Sequence, residues 1–297
     1  MSGRPVVDVG EGPAIVFGGP YSNLQATEAL FAEAARLGVG EDAIVCTGDV
    51  VAYCGDLALT AGRVRASGVA VVAGNCEAMA AAGAADCGCG FDEGSACAAL
   101  SADWWTYVMT ELDAELCGWM ASLPAEIELR IGGRRLLVVH AVPGSDNRFV
   151  FPSDSRAEKI AAIRAGGLDG IVCGHSGLPF AQTFDGRLWL NAGAIGMPAN
   201  DATPRGWYAL LSTRGDGVAI ELRPLAYDHA GAAAVMAAKG VAAPYAEALL
   251  TGRWPSDDVL PPAERASAGR PLPPRRVFWP DAPIAPPGAG RGALQSV

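Results

Sequence analysis

The sequence carries little positive charge. Its 22 lysines and arginines are outnumbered by 32 aspartates and glutamates, which gives a net charge of −10 at pH 7. Lysine occurs only as Lys159 and Lys239. Nucleic-acid-binding surfaces need clustered Lys and Arg, so the composition argues against such a surface. A small phosphorylated substrate is still compatible with this charge, because a metal ion can supply local positive charge.

Two kinds of apolar segment are also missing. No stretch reaches the roughly 18 continuous apolar residues of a transmembrane helix, so no membrane span is predicted. Residues 1–5 lack the apolar stretch of a secretory signal peptide. We therefore expect a cytoplasmic protein whose thiols are mostly reduced.

The chain is long and apolar enough to form one large folded domain. It has 297 residues, of which 51% are hydrophobic, and its strand-like and helix-like segments alternate. We predict a loose leader over residues 1–13, an α/β domain over 14–227 and a helical extension over 228–269. The last segment, 270–297, is rich in Pro and Gly and is predicted to be a poorly ordered tail.

Four apolar, β-branched runs lead into polar side chains that can bind a metal ion. The runs read as buried strands, and the side chains that follow them are Asp49, Asn75, His140 and His175. In open α/β sheets, ligands bind in the crevice beyond the carboxyl ends of the strands. The sequence therefore predicts a metal site made of these four residues.

The same residues stand in recognisable sequence blocks. Gly precedes both Asp49 and Asn75, and His140 stands alone after its strand. Residues 174–177 read Gly-His-Ser-Gly, and residues 191–198 read Asn-Ala-Gly-Ala-Ile-Gly-Met-Pro. In this order the blocks resemble those of the calcineurin-like metallophosphoesterases. The resemblance points to the small bacterial branch that includes symmetrical dinucleoside-tetraphosphatase-like proteins.

This resemblance covers residues 14–225 and implies both a fold and an activity. The implied fold is an α/β sandwich of four layers, in which two packed mixed β-sheets are flanked by helices. Periodicity alone supports only the α/β class. The implied activity is metal-dependent hydrolysis of a phosphomonoester, a phosphodiester or a dinucleoside polyphosphate.

The chain lacks the family's metal ligand at three positions. Gly19 stands where the family's opening DxHGNL block has Asp, Tyr21 stands where that block has His, and Gly177 replaces the last His of the GHxH block. In the family these three groups belong to one metal of a pair, whereas the ligands implied for the other metal are complete here. We therefore expect an altered site with one divalent metal ion per chain, which would be Mn, Fe or Zn.

We assign catalytic roles to Cys76, Asn75 and His140. Cys76 follows Gly-Asn where the family usually has a His that helps to protonate the leaving group. A thiol with a pKa of about 8.5 is a weaker acid at neutral pH than an imidazole. As alternatives, a thiolate at Cys76 would be a metal ligand or a nucleophile.

Substrate contacts are expected from two other segments. Tyr21 and Asn23, in the altered first block, are candidates for contacting phosphate oxygens. Arg148, eight residues after His140, is a candidate phosphate clamp, although a surface arginine is the simpler interpretation. The expected partner is a small phosphorylated molecule or a nucleotide. The sequence makes no prediction of oligomeric state.

Eight cysteines are many for a cytoplasmic chain. The most informative pair is Cys87 and Cys89, which are separated by a single glycine. One hypothesis is that Cys76, Cys87 and Cys89 supply thiol ligands that rebuild the missing metal position, which would favour Zn or Cu. The alternatives are ordinary thiols in a Gly-rich loop, or a redox-responsive disulfide, which reducing conditions disfavour.

Two classes of function therefore remain open. The first is a hydrolase that works with a single metal ion. The second is a protein that keeps the fold without catalysis and uses the crevice to bind or sense a nucleotide or a metal. The first predicts hydrolysis that depends on bound metal, and the second predicts binding without turnover.

Overall fold

A computed structural model describes residues 3–280 of the chain. The strands of this part are β1 (Val6–Asp8), β2 (Ala14–Phe17), β3 (Ile44–Cys46), β4 (Ala70–Val71), β5 (Glu126–Ile131), β6 (Arg134–Val139), β7 (Gly170–Cys173), β8 (Phe180–Phe184), β9 (Arg187–Asn191), β10 (Gly206–Thr213), β11 (Gly217–Leu225) and β12 (Arg275–Pro280). The α-helices are α1 (Leu24–Leu37), α2 (Leu57–Ser67), α3 (Asn75–Ala81), α4 (Ala96–Glu111), α5 (Ala114–Ser122), α6 (Arg156–Gly166), α7 (His229–Lys239), α8 (Ala243–Thr251) and α9 (Pro262–Ser267).

The strands form two six-stranded mixed sheets. Sheet one has the order β1-β5-β6-β7-β9-β8, and sheet two has the order β12-β11-β10-β2-β3-β4. In sheet two, β2, β3 and β4 run parallel, whereas β10, β11 and β12 are joined by antiparallel pairing. In sheet one, β6, β7 and β9 run parallel. Asp49, Asn75, His140 and His175 follow the carboxyl ends of β3, β4, β6 and β7, respectively.

Alternate side chains along the strands point into different layers of the sandwich. Val16 and Val45 of sheet two face Val138 and Val172 of sheet one, in a core between the sheets. The neighbouring residues point outwards. Those of sheet two pack with helices that include α1, α2 and α4, and those of sheet one pack against α6. The predicted α/β fold of two packed sheets flanked by helices is confirmed.

Local sequence signals explain where α1 begins and ends. Asn23 caps its first turn, because the side-chain oxygen accepts a hydrogen bond from the N–H of Ala26 at 3.0 Å. Gly38 ends the helix in a left-handed conformation, with φ of 69°. The helix thus starts directly after the altered first block and holds that block at the edge of the crevice.

Both ends of the described chain are more regular than the sequence indicates. Val6–Asp8, in the predicted loose leader, forms β1 and pairs in parallel with β5. Arg275–Pro280, in the predicted poorly ordered tail, forms β12 and pairs with β11. Backbone hydrogen bonding along an open sheet edge explains both differences, since it does not require an apolar pattern. The rest of the predicted tail, 281–297, lies outside the described residues.

Within residues 3–280, none of the helices is both long and apolar enough to cross a membrane.

Candidate metal centre

Four strand ends bring the predicted metal ligands to one place between the sheets. Asp49 follows β3 and Asn75 follows β4, so both come from sheet two. His140 directly follows β6 and His175 follows β7, so both come from sheet one. All except His175 are nearly inaccessible to solvent, and His175 is partly buried. Each sheet therefore contributes two of the four donors.

Three distances from one histidine nitrogen define the centre. His140 Nε2 lies 3.3 Å from Asp49 Oδ2, 3.1 Å from Asn75 Oδ1 and 3.2 Å from His175 Nδ1. Four donor atoms bound tetrahedrally at about 2.0 Å are separated by about 3.3 Å, which is the spacing expected around Zn²⁺. The three separations from His140 Nε2 match those of ligands around a first-row divalent ion, and the ligand atoms of Asp49, His140 and His175 all lie within 4.8 Å of one another.

Hydrogen bonding at the other ring nitrogen shows which His140 atom is free. His140 Nδ1 lies 2.6 Å from the carbonyl oxygen of Thr47, which can only accept, so Nδ1 carries a proton. In the neutral ring, Nε2 then presents a lone pair to the carboxylate of Asp49 and the amide oxygen of Asn75. Acceptors that converge without a donor need a cation or an added proton between them. The residues therefore fit a divalent metal ion.

The electrostatics of the three ionisable ligands are tightly linked. Although burial opposes a charged ring, the neighbouring carboxylate of Asp49 raises the pKa of His140 to about 9. Burial and the nearby His140 lower the pKa of His175 to about 3. Burial also opposes ionisation of Asp49, but His140 outweighs it and holds the pKa of Asp49 below its usual value. Metal binding therefore has to displace a proton from this cluster.

Backbone conformation at the centre is unusual. Asp49 and His175 both have left-handed backbones, with φ of 56° and 58°. Such conformations are uncommon in residues other than glycine and cluster at functional sites. Two glycines allow close approach: a Cβ on Gly48 would lie 2.9 Å from His140 Nδ1, and a Cβ on Gly74 would overlap Asp49 Oδ1. The Gly-Asp and Gly-Asn blocks are thus required for packing around the centre.

A supporting residue that the sequence reasoning missed is Glu77. Its carboxylate is fully buried and accepts hydrogen bonds from the N–H groups of Asp49, Val50, Val51 and Gly74. Burial and the charge of Asp49 raise the pKa of Glu77 to about 7. The sequence does contain one sign of this role. Glu77 is an acidic residue at the third position of α3, where it completes a helix-capping arrangement.

The three altered positions lie beside the centre. A Cβ on Gly19 would overlap the ring of Tyr21, so this ring fills the space of the missing side chain. A Cβ on Gly177 would lie 3.8 Å from Trp254 and 4.0 Å from the Tyr21 hydroxyl. Over residues 3–280, a single group of acidic, His or Cys side chains is arranged to hold a metal, and it consists of Asp49, His140 and His175.

The three residues predicted to contact the substrate have different environments in the structure. Tyr21 lines a recess beside Asp49 and His175. Asn23 is fully buried, and besides capping α1 it donates to the carbonyl of Gly196 at 3.0 Å, so its amide is used within the fold. Arg148 is exposed and pairs with Glu158 at 2.8 Å, and it does not line the recess. Of the three, only Tyr21 belongs to the lining of the recess.

Cys76, Cys87 and Cys89 lie near the centre, but they are not arranged as the thiol-ligand hypothesis predicts. Cys87 and Cys89 form a disulfide, so in this state their sulfurs are not thiolate ligands. The Asn75 amide nitrogen donates to the carbonyl of Cys87 at 2.8 Å and lies 3.3 Å from the sulfur of Cys89. Cys76 is buried outside the recess lining, and burial raises the pKa of its thiol well above its usual value. That environment disfavours a nucleophilic thiolate at Cys76.

Comparison with known proteins relates this centre to a family. A metallophosphoesterase from Sphaerobacter thermophilus superposes with a TM-score of 0.61 at 22% identity, over 81% of this chain and 98% of that chain. A hypothetical protein from Pyrococcus horikoshii OT3 gives 0.65 at 14% identity, over 82% and 99%. Both share the fold. No curated protein matches the sequence. Because residues 22–216 match the calcineurin-like phosphoesterase superfamily domain, the chain belongs to that superfamily.

Proposed function

We propose that the chain is a phosphoester hydrolase that uses one divalent metal ion, held by Asp49, Asn75, His140 and His175. The observation that carries the proposal is the convergence of their donor atoms, with separations of 3.1–3.3 Å around His140 Nε2. A bound divalent ion supplies Lewis-acid chemistry, which acidifies water and neutralises phosphate charge. Mn, Fe and Zn all suit this mixture of nitrogen and oxygen donors.

Other residues of the chain orient the metal ligands and supply a phosphate contact in this proposal. The Thr47 carbonyl fixes the His140 tautomer that presents a lone pair at Nε2. The disulfide-linked loop holds the Asn75 amide nitrogen, which leaves the amide oxygen facing His140. Tyr21 lines the recess, and we expect its hydroxyl to donate to a phosphate oxygen on the side where the family has its other metal. The ring of Tyr21 also supports a count of one ion, because it fills the space beside Gly19.

A second candidate is a binding protein without turnover, and the position of Cys76 favours it. Leaving-group protonation needs an acid that reaches the substrate, and the Cys76 thiol is buried away from the recess. In this alternative the same four donors would hold a metal whose role is to bind or sense a phosphorylated ligand.

Metal content and hydrolysis measured together test the proposal. We expect about one ion per chain by mass spectrometry, and hydrolysis of phosphomonoesters or phosphodiesters in proportion to metal loading. His140→Ala should lose both. His229→Ala is the matched control, because His229 lies at the start of α7, outside the centre, and that variant should keep both.

Two results would contradict the proposal in different ways. Hydrolysis retained by a metal-free His140→Ala protein would remove the assigned residues from the chemistry. A loaded wild-type protein that turns over none of these substrates with Mn, Fe or Zn would support the binding protein instead.

A further inference from the structure

A recess opens directly beside the metal centre. It is open to solvent, and Asp49 and His175 form part of its lining. Six of its eighteen lining residues are Phe, Tyr or Trp, whereas these types make up 7% of the whole chain. A ligand that reaches the centre therefore has to lie against aromatic rings.

Three tyrosines of the lining pack against one another. The ring of Tyr53 lies 4.8 Å from that of Tyr21, in an edge-on arrangement, and 4.6 Å from that of Tyr245. Tyr53 also contacts the buried Trp104 at 4.6 Å. Because each ring is packed against another, the three tyrosines are held in position by contacts within the protein.

Further rings of the lining lie close to the metal ligands. Phe149 packs on His175, with ring centres 4.3 Å apart, and Phe91 stacks on Phe149 at 6.0 Å. Trp254 is anchored separately, because its indole N–H donates to the carbonyl of Pro198 at 2.6 Å. Together with the tyrosines, these rings give the recess an aromatic lining beside the metal ligands, which suits contact with a flat aromatic group.

The charge of the recess limits the kind of phosphate it can accept. Among the described residues, no Arg or Lys belongs to the lining, and Asp49 is its one carboxylate. A polyphosphate chain carries several negative charges and needs several cationic partners. Here a single ion would be the one positive group, inside a protein of net charge −10. The recess therefore suits one phosphate group joined to a neutral organic part.

We propose that the recess binds the flat aromatic ring of a substrate that carries a single phosphate group, with the phosphate at the metal centre and the ring against the aromatic side chains of the lining, Trp254 among them. The inference rests on the proposed function for the position of the phosphate. It goes further in naming an aryl or heteroaryl phosphoester as the substrate class and in excluding dinucleoside polyphosphates.

A pair of phosphonates that cannot be hydrolysed tests the ring preference by binding alone. Benzylphosphonate and cyclohexylmethylphosphonate have the same reach and charge and differ in aromaticity. On Mn-loaded protein, titration calorimetry should give about three- to ten-fold tighter binding of the benzyl compound. Equal affinities would overturn the proposal. The measurement needs no turnover, so a protein that binds but does not hydrolyse can still confirm the recess.

Two variants of Trp254 distinguish an effect of its aromatic ring from an effect of general packing. Trp254→Leu keeps an apolar side chain without a ring and should reduce the benzyl preference, whereas Trp254→Phe should keep it. An unchanged preference in both variants would count against recognition by the aromatic lining, and a loss in both would assign the preference to the shape of the side chain rather than to its ring. His140→Ala should weaken both phosphonates equally, because it acts on the phosphate end.

Two further probes examine the alternatives. Tripolyphosphate should bind more weakly than benzylphosphonate. Tighter binding of tripolyphosphate would overturn the charge argument. Aromatic walls also bind quaternary ammonium groups. Tighter binding of 2-(trimethylammonio)ethylphosphonate than of benzylphosphonate would therefore overturn the proposal of a flat ring, and would indicate that the recess recognises a cationic group.

Discussion

The carboxylate of Glu77 accepts a hydrogen bond from the backbone N–H of Asp49 at 2.8 Å. The same carboxylate accepts another from Gly74 at 2.9 Å. It thereby joins the loop after β3 to the loop after β4, and these loops carry Asp49 and Asn75. Glu77 does not contact the ion directly in the proposed site, but it sets the spacing of two ligands.

Glu77→Gln should weaken metal binding and destabilise the fold. The amide can accept with its oxygen, but its NH₂ group faces backbone donors that then lose their acceptor. We expect metal affinity to fall at least ten-fold and the free energy of unfolding to fall by about 3 kcal/mol. Metal titration and urea unfolding measure the two effects.

A second buried carboxylate provides the control for this variant. Glu264 accepts hydrogen bonds from the N–H and hydroxyl of Ser153, away from the centre. Glu264→Gln should lose stability and keep wild-type metal affinity. Unchanged affinity in Glu77→Gln would show that the loops hold their positions without this carboxylate.

Opening the disulfide between Cys87 and Cys89 should accelerate loss of the metal. The disulfide constrains the loop whose Cys87 carbonyl accepts from the Asn75 amide, and this contact aims the Asn75 oxygen at the centre. We expect faster metal release to a chelator after reduction, and in the Cys87→Ser/Cys89→Ser variant. Cys117→Ser, in α5, should release metal at the wild-type rate. Slower release after reduction would instead indicate that free thiols bind the ion.

Restoring the three altered positions together should create a second metal position. Gly19→Asp alone should destabilise the fold without adding an ion, because the new side chain overlaps the Tyr21 ring. Adding Tyr21→His removes the ring, and Gly177→His supplies the last donor. Metal analysis should then give two ions per chain. One ion in a folded triple variant would mean that the ring of Tyr21 is not what limits the count.

Acid should weaken the fold through Glu128 on β5. Hydrogen bonds from Arg135 and Arg130 lower the pKa of Glu128 from its ordinary 4.5 to about 2. The stabilisation from this carboxylate is therefore complete above pH 4.5 and is lost as the pH falls from 4.5 towards 2. Both arginines are about half exposed, so water screens the pairs, and we expect an effect of about 1 kcal/mol.

Urea unfolding of Glu128→Gln across this pH range measures the effect. The stability difference from wild type should be largest near pH 6 and shrink towards pH 2. A difference that does not change with pH would assign the loss to packing rather than to charge.

Residues that follow buried strands were the predictable part of the site. Asp49, Asn75, His140 and His175 each come after an apolar run, and parallel strands bring such ends to one edge. The two-sheet fold was expected from the family resemblance, whereas periodicity indicated only α/β.

Features that depend on distant segments could not be predicted. Phe149, Tyr245 and Trp254 reach the recess from three separate parts of the chain, and no local pattern marks them. The capping position of Asn23 became clear only once α1 was placed. Strand β12 pairs through its backbone at a sheet edge, which a Pro-rich sequence does not reveal.

The distribution of the donors also has a consequence for the protein outside catalysis. Asp49 and Asn75 belong to one sheet, and His140 and His175 belong to the other. An ion seated among them would tie the two halves of the sandwich together at the edge where the core between the sheets ends. Folded chains would then be favoured in proportion to free metal by mass action. In a metal-starved cell the protein would be cleared faster by proteases, so its abundance would follow metal supply.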